Sequence, residues 1–167
     1  MVTGGKARSL AEVGLLAALI TVTGAVKLPG LLPGTEFQLS APLAVAICVA
    51  FGFKRYLAAG LLSSLLGLVL GTQNLLNVYV SMVFRLTVGL VIGLGGRHWL
   101  VASLAGPLGS AAARLGLGLW VGKAVYPLLV AALPGMAYTA LAAWPLSRLL
   151  ARVRRMNGRE TEHVLQR

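Results

Sequence analysis

The chain has 167 residues, room for one ordinary domain. It is 57% hydrophobic and 11% charged, with a mean hydropathy of +0.84. Soluble domains are about 45–50% apolar and about 25% charged, so too few polar side chains exist here to cover a water-facing surface. The same hydropathy excludes a disordered chain. One cysteine, Cys48, excludes an internal disulfide and a cysteine-based metal site. The net charge is +11, from 15 Lys and Arg against 4 Asp and Glu. Most of the cations flank apolar runs, which points to membrane topology rather than nucleic acid.

Six apolar stretches are predicted, at Leu10–Val26, Phe37–Phe53, Tyr56–Leu70, Leu75–Gly95, Trp99–Val121 and Ala124–Ser147. A bilayer core needs roughly 20 helical residues, about 17 at the least. The runs are too long and uniformly apolar for barrel strands, so an all-α bundle of six transmembrane helices is expected. The second and third stretches are short and separated only by Lys54 and Arg55. They read as a hairpin or as a re-entrant pair. The hairpin is favoured, because it keeps both cations out of lipid.

The first stretch opens like a signal peptide, with Lys6 and Arg8 before the apolar run, but Glu12 interrupts that start, and it is taken as a first span. With six crossings, 11 cations fall on the side of the termini and only Lys27 and Lys123 on the other. The positive-inside rule then puts both termini in the cytoplasm of a cell-membrane protein. Residues 1–150 form the transmembrane domain, and 151–167 a cationic cytoplasmic tail.

The first outer loop, Lys27 to Gln38, carries two Pro-Gly pairs, which predict consecutive turns. Leu31 and Leu32 lie between them, and Glu36 and Phe37 beyond, so the loop reads either as an apolar-tipped lid over an outward pocket or as a plain connector. Ser40, two residues before Pro42, reads as the N-cap of the second helix. Gly14/Ala18, Gly67/Gly71, Gly89/Gly93 and Gly118/Gly122 are small-residue pairs four apart, a spacing that lets helices approach closely in lipid. Pro107, Pro127, Pro134 and Pro145 predict kinks in the last two spans.

Polar residues inside the spans carry the functional reading. In the fourth, Asn74, Asn77, Ser81 and Arg85 fall within a stripe of about 80° at about 100° per residue. The stripe descends about 16 Å from the outer end and finishes on an arginine. In the fifth, Ser103, Ser110 and Arg114 share a face, and Arg114 lies roughly 12 Å below the outer end. No acid occurs in spans four to six, and Glu36 is the only one on the outer side. Two intramembrane cations with one candidate counter-ion suggest that an anionic group arrives from outside, since arginine grips carboxylate and phosphate in a two-pronged way. The alternatives are that either arginine caps helix carbonyls, pairs with Glu36 or reaches to the surface. Tyr126, Tyr79, Tyr138, Gln73 and Lys123 are weaker candidates to line a pocket mouth.

Enzymes are not favoured. The chain has no aspartate, no Gly-x-Ser-x-Gly, no His-Glu-x-x-His and no phosphate-binding Gly-x4-Gly-Lys-Ser/Thr loop. His98 and His163 have no acid or cysteine cluster that suggests a metal site, and no cofactor is expected.

This outline, with the stretch Pro33-Gly34-Thr35-Glu36-Phe37-Gln38-Leu39-Ser40-Ala41-Pro42 and the segment Asn77 to Gly89, resembles the substrate-binding S components of energy-coupling factor transporters. The resemblance implies capture of a vitamin-like micronutrient from outside, under a lid formed by the loop between the first two helices. The residues themselves offer Arg85, Arg114, Asn74, Asn77, Ser81, Glu36, Gln38 and Tyr126 as binding candidates, and Leu31, Leu32 and Phe37 in that loop. The resemblance also implies as partners a transmembrane T component and two cytoplasmic ATPases. The T component would dock on small residues of the first helix. The nearest match is Gly14-x-x-x-Ala18, with Ala17 beside it; the literal Ala-x-x-x-Ala is absent. No biotin-type, thiamine-type or cobalt-type signature names the substrate, and the lack of acids argues for an anionic one. The competing readings are a small oligomeric channel or exporter and a structural or assembly factor.

Overall fold

A computed structural model describes residues 3–29, 36–122 and 125–165, with side chains described for 7–26, 39–119, 122 and 125–156. Six helices appear among them: α1 (Thr3–Ala25), α2 (Ser40–Phe51), α3 (Phe53–Val69), α4 (Leu75–Gly95), α5 (Trp99–Val121) and α6 (Val125–Leu165). A small antiparallel ribbon joins α1 to α2. Its strands β1 (Lys27–Pro29) and β2 (Glu36–Gln38) pair Lys27 with Gln38, Leu28 with Phe37 and Pro29 with Glu36. The described residues are thus helical apart from this ribbon and short connecting turns. Segments of α1, α4, α5 and α6 are long and apolar enough to cross a membrane, as a multi-pass membrane protein needs.

The predicted second span is corrected most. Residues 36–38 belong to the ribbon, which leaves α2 only 12 residues, about 18 Å of helix. That is too short to cross a core of about 30 Å alone. Yet α2 is the most enclosed element: Ser40 and every residue from Pro42 to Ala50 are buried. It packs against each of the other five helices. Its uniformly apolar sequence follows from having protein on every side.

Ser40 is the first residue of α2 rather than its cap. Leu39 holds the N-cap position, and no side chain caps it. At the other end a single residue, Gly52, separates α2 from α3. Its φ of +87° is a conformation that side-chain-bearing residues rarely adopt.

In three of the four small-residue pairs one member packs within the chain. Phe53 lies on Gly89, where a methyl group would collide with its ring, and Gln73 covers Gly67. Gly14 and Gly93 meet nothing nearby. The prolines sit within continuous helices. Pro107 lies inside α5, and Pro134 and Pro145 inside α6. Pro127 falls in the first turn of α6, where no intrahelical N–H is needed. Helix α6 continues past residue 150 through the cationic segment to Leu165. At 41 residues, α6 is about 61 Å long, far more than a bilayer core needs.

Cations gather where α1 begins, where α2 meets α3 and along the later part of α6. Glu12 pairs with Arg8 on α1 (3.6 Å) and with Arg55 on α3 (3.4 Å). Arg154 of α6 donates to the Ala50 carbonyl at 2.6 Å and lies over the Phe51 ring. A cation thereby satisfies the last turn of α2, where free carbonyls and the helix dipole favour positive charge. Arg148 lies over Trp144.

Candidate functional site

At the opposite end, α1, α2, α4, α5 and α6 open around a cavity of about 220 Å³. For scale, a cavity of about 150 Å³ holds benzene. Its walls come from the second half of α1 (Ile20, Gly24), the start of α2 (Ser40, Ala41, Ala44), Tyr56 of α3, Gln73 and the first half of α4, the second half of α5 and the first half of α6.

The two arginines predicted from the helical stripes both line this one cavity, with Asn77, Ser81 and Ser110. Arg85 is only 5% exposed. Its Nη1 donates to Ser64 Oγ of α3 at 2.8 Å and approaches Met82 Sδ at 3.9 Å. It fits because Gly60 carries no side chain; a methyl group there would collide with the guanidinium. Arg114 is half-buried, and its Nη1 donates to the Ser110 carbonyl of its own helix at 3.2 Å. The carbonyl-capping alternative therefore describes part of what Arg114 does. No acidic side chain occurs among the described residues lining the cavity, and no ion pair to either arginine is described.

The other sequence-predicted residues divide. Asn74 is exposed and lies outside the cavity wall; its side chain caps α4 by accepting from Asn77 N at 2.8 Å. Tyr126 is 69% exposed and does not line the cavity. Ser103 is not among the lining residues either, whereas Gln73 is. Tyr79 spans from α4 to the Gly116 carbonyl of α5. Glu36, Phe37 and Gln38 form β2, which lies against α1 and α6; their side chains are outside the described set, as are residues Leu31, Leu32 and Lys123. On α1, Ala17 is fully buried, so it packs inward and offers no surface to a partner. Ala18 is exposed, and Gly14 has no neighbour near it.

Sequence reasoning missed several lining residues. Tyr56 of α3 is wholly buried, and its hydroxyl has no hydrogen-bond partner. Its signal was a small-residue face on α3, since Tyr56, Gly60, Ser64 and Gly67 recur at the helical spacing and are all buried. Phe84, Met136 and Thr139 supply the remaining bulk of the wall. Thr139 donates to the Gly135 carbonyl at 2.7 Å and packs on Gly106, which brings α5 and α6 into close approach. Among the described residues no group of His, Cys, Asp or Glu suits a metal ion.

One curated relative, Protein BioX of Lysinibacillus sphaericus, is 52% identical to the chain over 141 residues, covering 84% of this chain and 85% of the relative. The chain belongs to the BioX family. No family model and no solved structure matches. Chemically, the site offers guanidinium, hydroxyl and amide groups within an apolar wall. It can hold a small anion by charge-assisted hydrogen bonds.

Proposed function

We propose that the protein is the substrate-binding subunit of an energy-coupling factor transporter and captures a small, anionic, vitamin-like metabolite. The observation that carries this reading is the pair Arg85 and Arg114 lining one cavity with no acid among its described residues. A buried guanidinium without a counter-charge is costly in a membrane. A carboxylate ligand supplies that charge, and the apolar wall accepts its hydrocarbon part. Membership of the BioX family and the resemblance to S components support a transport role. No nucleotide-binding loop occurs in the sequence, so energy has to come from partner subunits.

In this reading the cationic end faces the cytoplasm and the cavity opens outward, with six membrane-inserted helices and both termini inside. The β1–β2 ribbon belongs to the lid in this reading. Gly14 and Ala18, on the outward side of α1, are the surface for a transmembrane T component, and two cytoplasmic ATPases complete the assembly. The chain itself performs no catalysis.

The first three letters of the relative's name make biotin, a vitamin with one carboxylate, the first probe. Purified protein is titrated with biotin and other carboxylate vitamins by isothermal calorimetry, in wild-type and Arg85→Ala forms. The expected result is saturable binding of one of them that the substitution abolishes. Equal binding by both forms refutes the pocket assignment. Gentle extraction followed by native mass spectrometry tests the partners: ATPase subunits support the transporter reading, and a bare homo-oligomer favours a channel.

A further inference from the structure

Tyr56 presents a problem that the rest of the fold does not solve. Its side chain is fully buried and its hydroxyl has no partner. A buried hydroxyl that gives up water without gaining a hydrogen bond is destabilising. The ring is held firmly all the same. Tyr56 N bonds to the Gly52 carbonyl at 3.1 Å, at the fixed turn between α2 and α3, and the side chain belongs to the wall of the cavity. Arg85 lines the same cavity.

Arg85 is itself incompletely used. Its described hydrogen bonds all leave from Nη1, toward Ser64 and Met82. A guanidinium carries five N–H donors. Both groups therefore lack the same thing, an acceptor. The phenolic oxygen can accept from a guanidinium N–H, but the phenolic proton and the remaining Arg85 donors still need an acceptor. An acceptor that answers a hydroxyl and a guanidinium together is best an anion.

We propose that Tyr56 and Arg85 form a two-residue anion clamp at the floor of the cavity, and that the ligand binds with its carboxylate down and its neutral part toward the mouth. This rests on the reading of the cavity as a ligand site. It adds a contact residue and a direction of binding. Gly60 is part of the device, because it lets the guanidinium lie against α3 on the same helix face as Tyr56. Ser64, one turn further along α3, holds the guanidinium from behind.

The test pairs a ligand series with a substitution that removes one oxygen atom. The full chain in lipid nanodiscs is titrated with biotin and with straight-chain carboxylates of about four to ten carbons, each beside its neutral amide. Wild-type protein should prefer the carboxylate of at least one pair. Tyr56→Phe should reduce that preference about tenfold, the loss of one hydrogen bond to a charged group. It should leave binding of the amide within about twofold. Ser64→Ala, which loosens the guanidinium without touching the hydroxyl, should reduce the preference less. If Tyr56→Phe keeps the full wild-type preference, the clamp is refuted while the ligand site stands. If wild-type protein prefers no carboxylate over its amide, both the clamp and the anionic-ligand reading fail. Thermal unfolding of Tyr56→Phe should be at or above wild type, because the orphan hydroxyl is gone; a large drop overturns the account of that hydroxyl as unpartnered.

Discussion

The two ends of the bundle treat arginine in opposite ways. Where α1 begins and α2 meets α3, the charges find partners within the chain. Arg55 has Glu12, Arg154 has the Ala50 carbonyl and the Phe51 ring, and Arg148 has Trp144. In the cavity, Arg85 is more deeply buried than any of these, yet its described partners are a hydroxyl and a thioether. Desolvation raises the value of each partner, so the deeper site is where a full complement is expected. At the cationic end, these arginines have partners that the chain itself supplies. The cavity has the composition of a site completed by something else. The number of arginines does not tell these regions apart; their partners do.

The sharpest way to break this comparison is to remove a guanidinium from each end. Arg85→Ala is expected to weaken ligand binding by about 2–5 kcal/mol, the cost of deleting one member of a buried charged pair. That is at least about 30-fold by calorimetry. Thermal stability without ligand should change little or rise, since an incompletely paired buried charge is lost. Arg154→Ala should do the reverse. It gives up a charge-assisted bond to α2, worth about 1.5–3 kcal/mol, and lowers the unfolding midpoint in detergent while ligand affinity holds. If Arg154→Ala lowers affinity as much as Arg85→Ala, the two ends are not separate.

Gly60→Ala probes the cavity from the back. The added methyl collides with Arg85, and overpacking of this kind typically costs about 1–3 kcal/mol. A lower unfolding midpoint together with at least a tenfold loss of affinity is the expected pair of results. Normal affinity would mean that the guanidinium position is not critical.

Much of this division is legible in the sequence, and its gaps have physical causes. The bounds of α4 and α5 follow from hydropathy and flanking glycine. The stripe from Asn77 through Ser81 to Arg85 does meet the face of Ser110 and Arg114, because helical periodicity fixes which residues share a side. The second span was less legible. Phe37 and Leu39 lead into the apolar run of α2 with only Gln38 and Ser40 between, and it is the pairing of residues 36–38 with 27–29, distant in sequence, that keeps them out of the helix. Tyr56 was hidden by its neighbours. Beside Lys54 and Arg55 an aromatic residue reads as an interfacial anchor, and nothing in hydropathy reveals that its ring turns inward. Ala17 shows the same ambiguity, since a small residue suits an internal contact as well as an external one.

The smallest expected effect separates Asn74 from Asn77, which periodicity placed on one stripe. Asn74 accepts from the backbone N–H of Asn77 and is exposed outside the cavity. Asn74→Ala therefore removes a helix cap, typically worth about 1 kcal/mol, and should lower the unfolding midpoint by a few degrees with ligand affinity unchanged. Asn77 lines the cavity, so Asn77→Ala should leave the midpoint close to wild type and reduce affinity about fivefold, one neutral hydrogen bond. The paired measurement divides the stripe between architecture and site. An affinity loss from Asn74→Ala equal to that from Asn77→Ala would show that the ligand reaches the end of α4, and the mouth of the cavity would then lie a full turn further out.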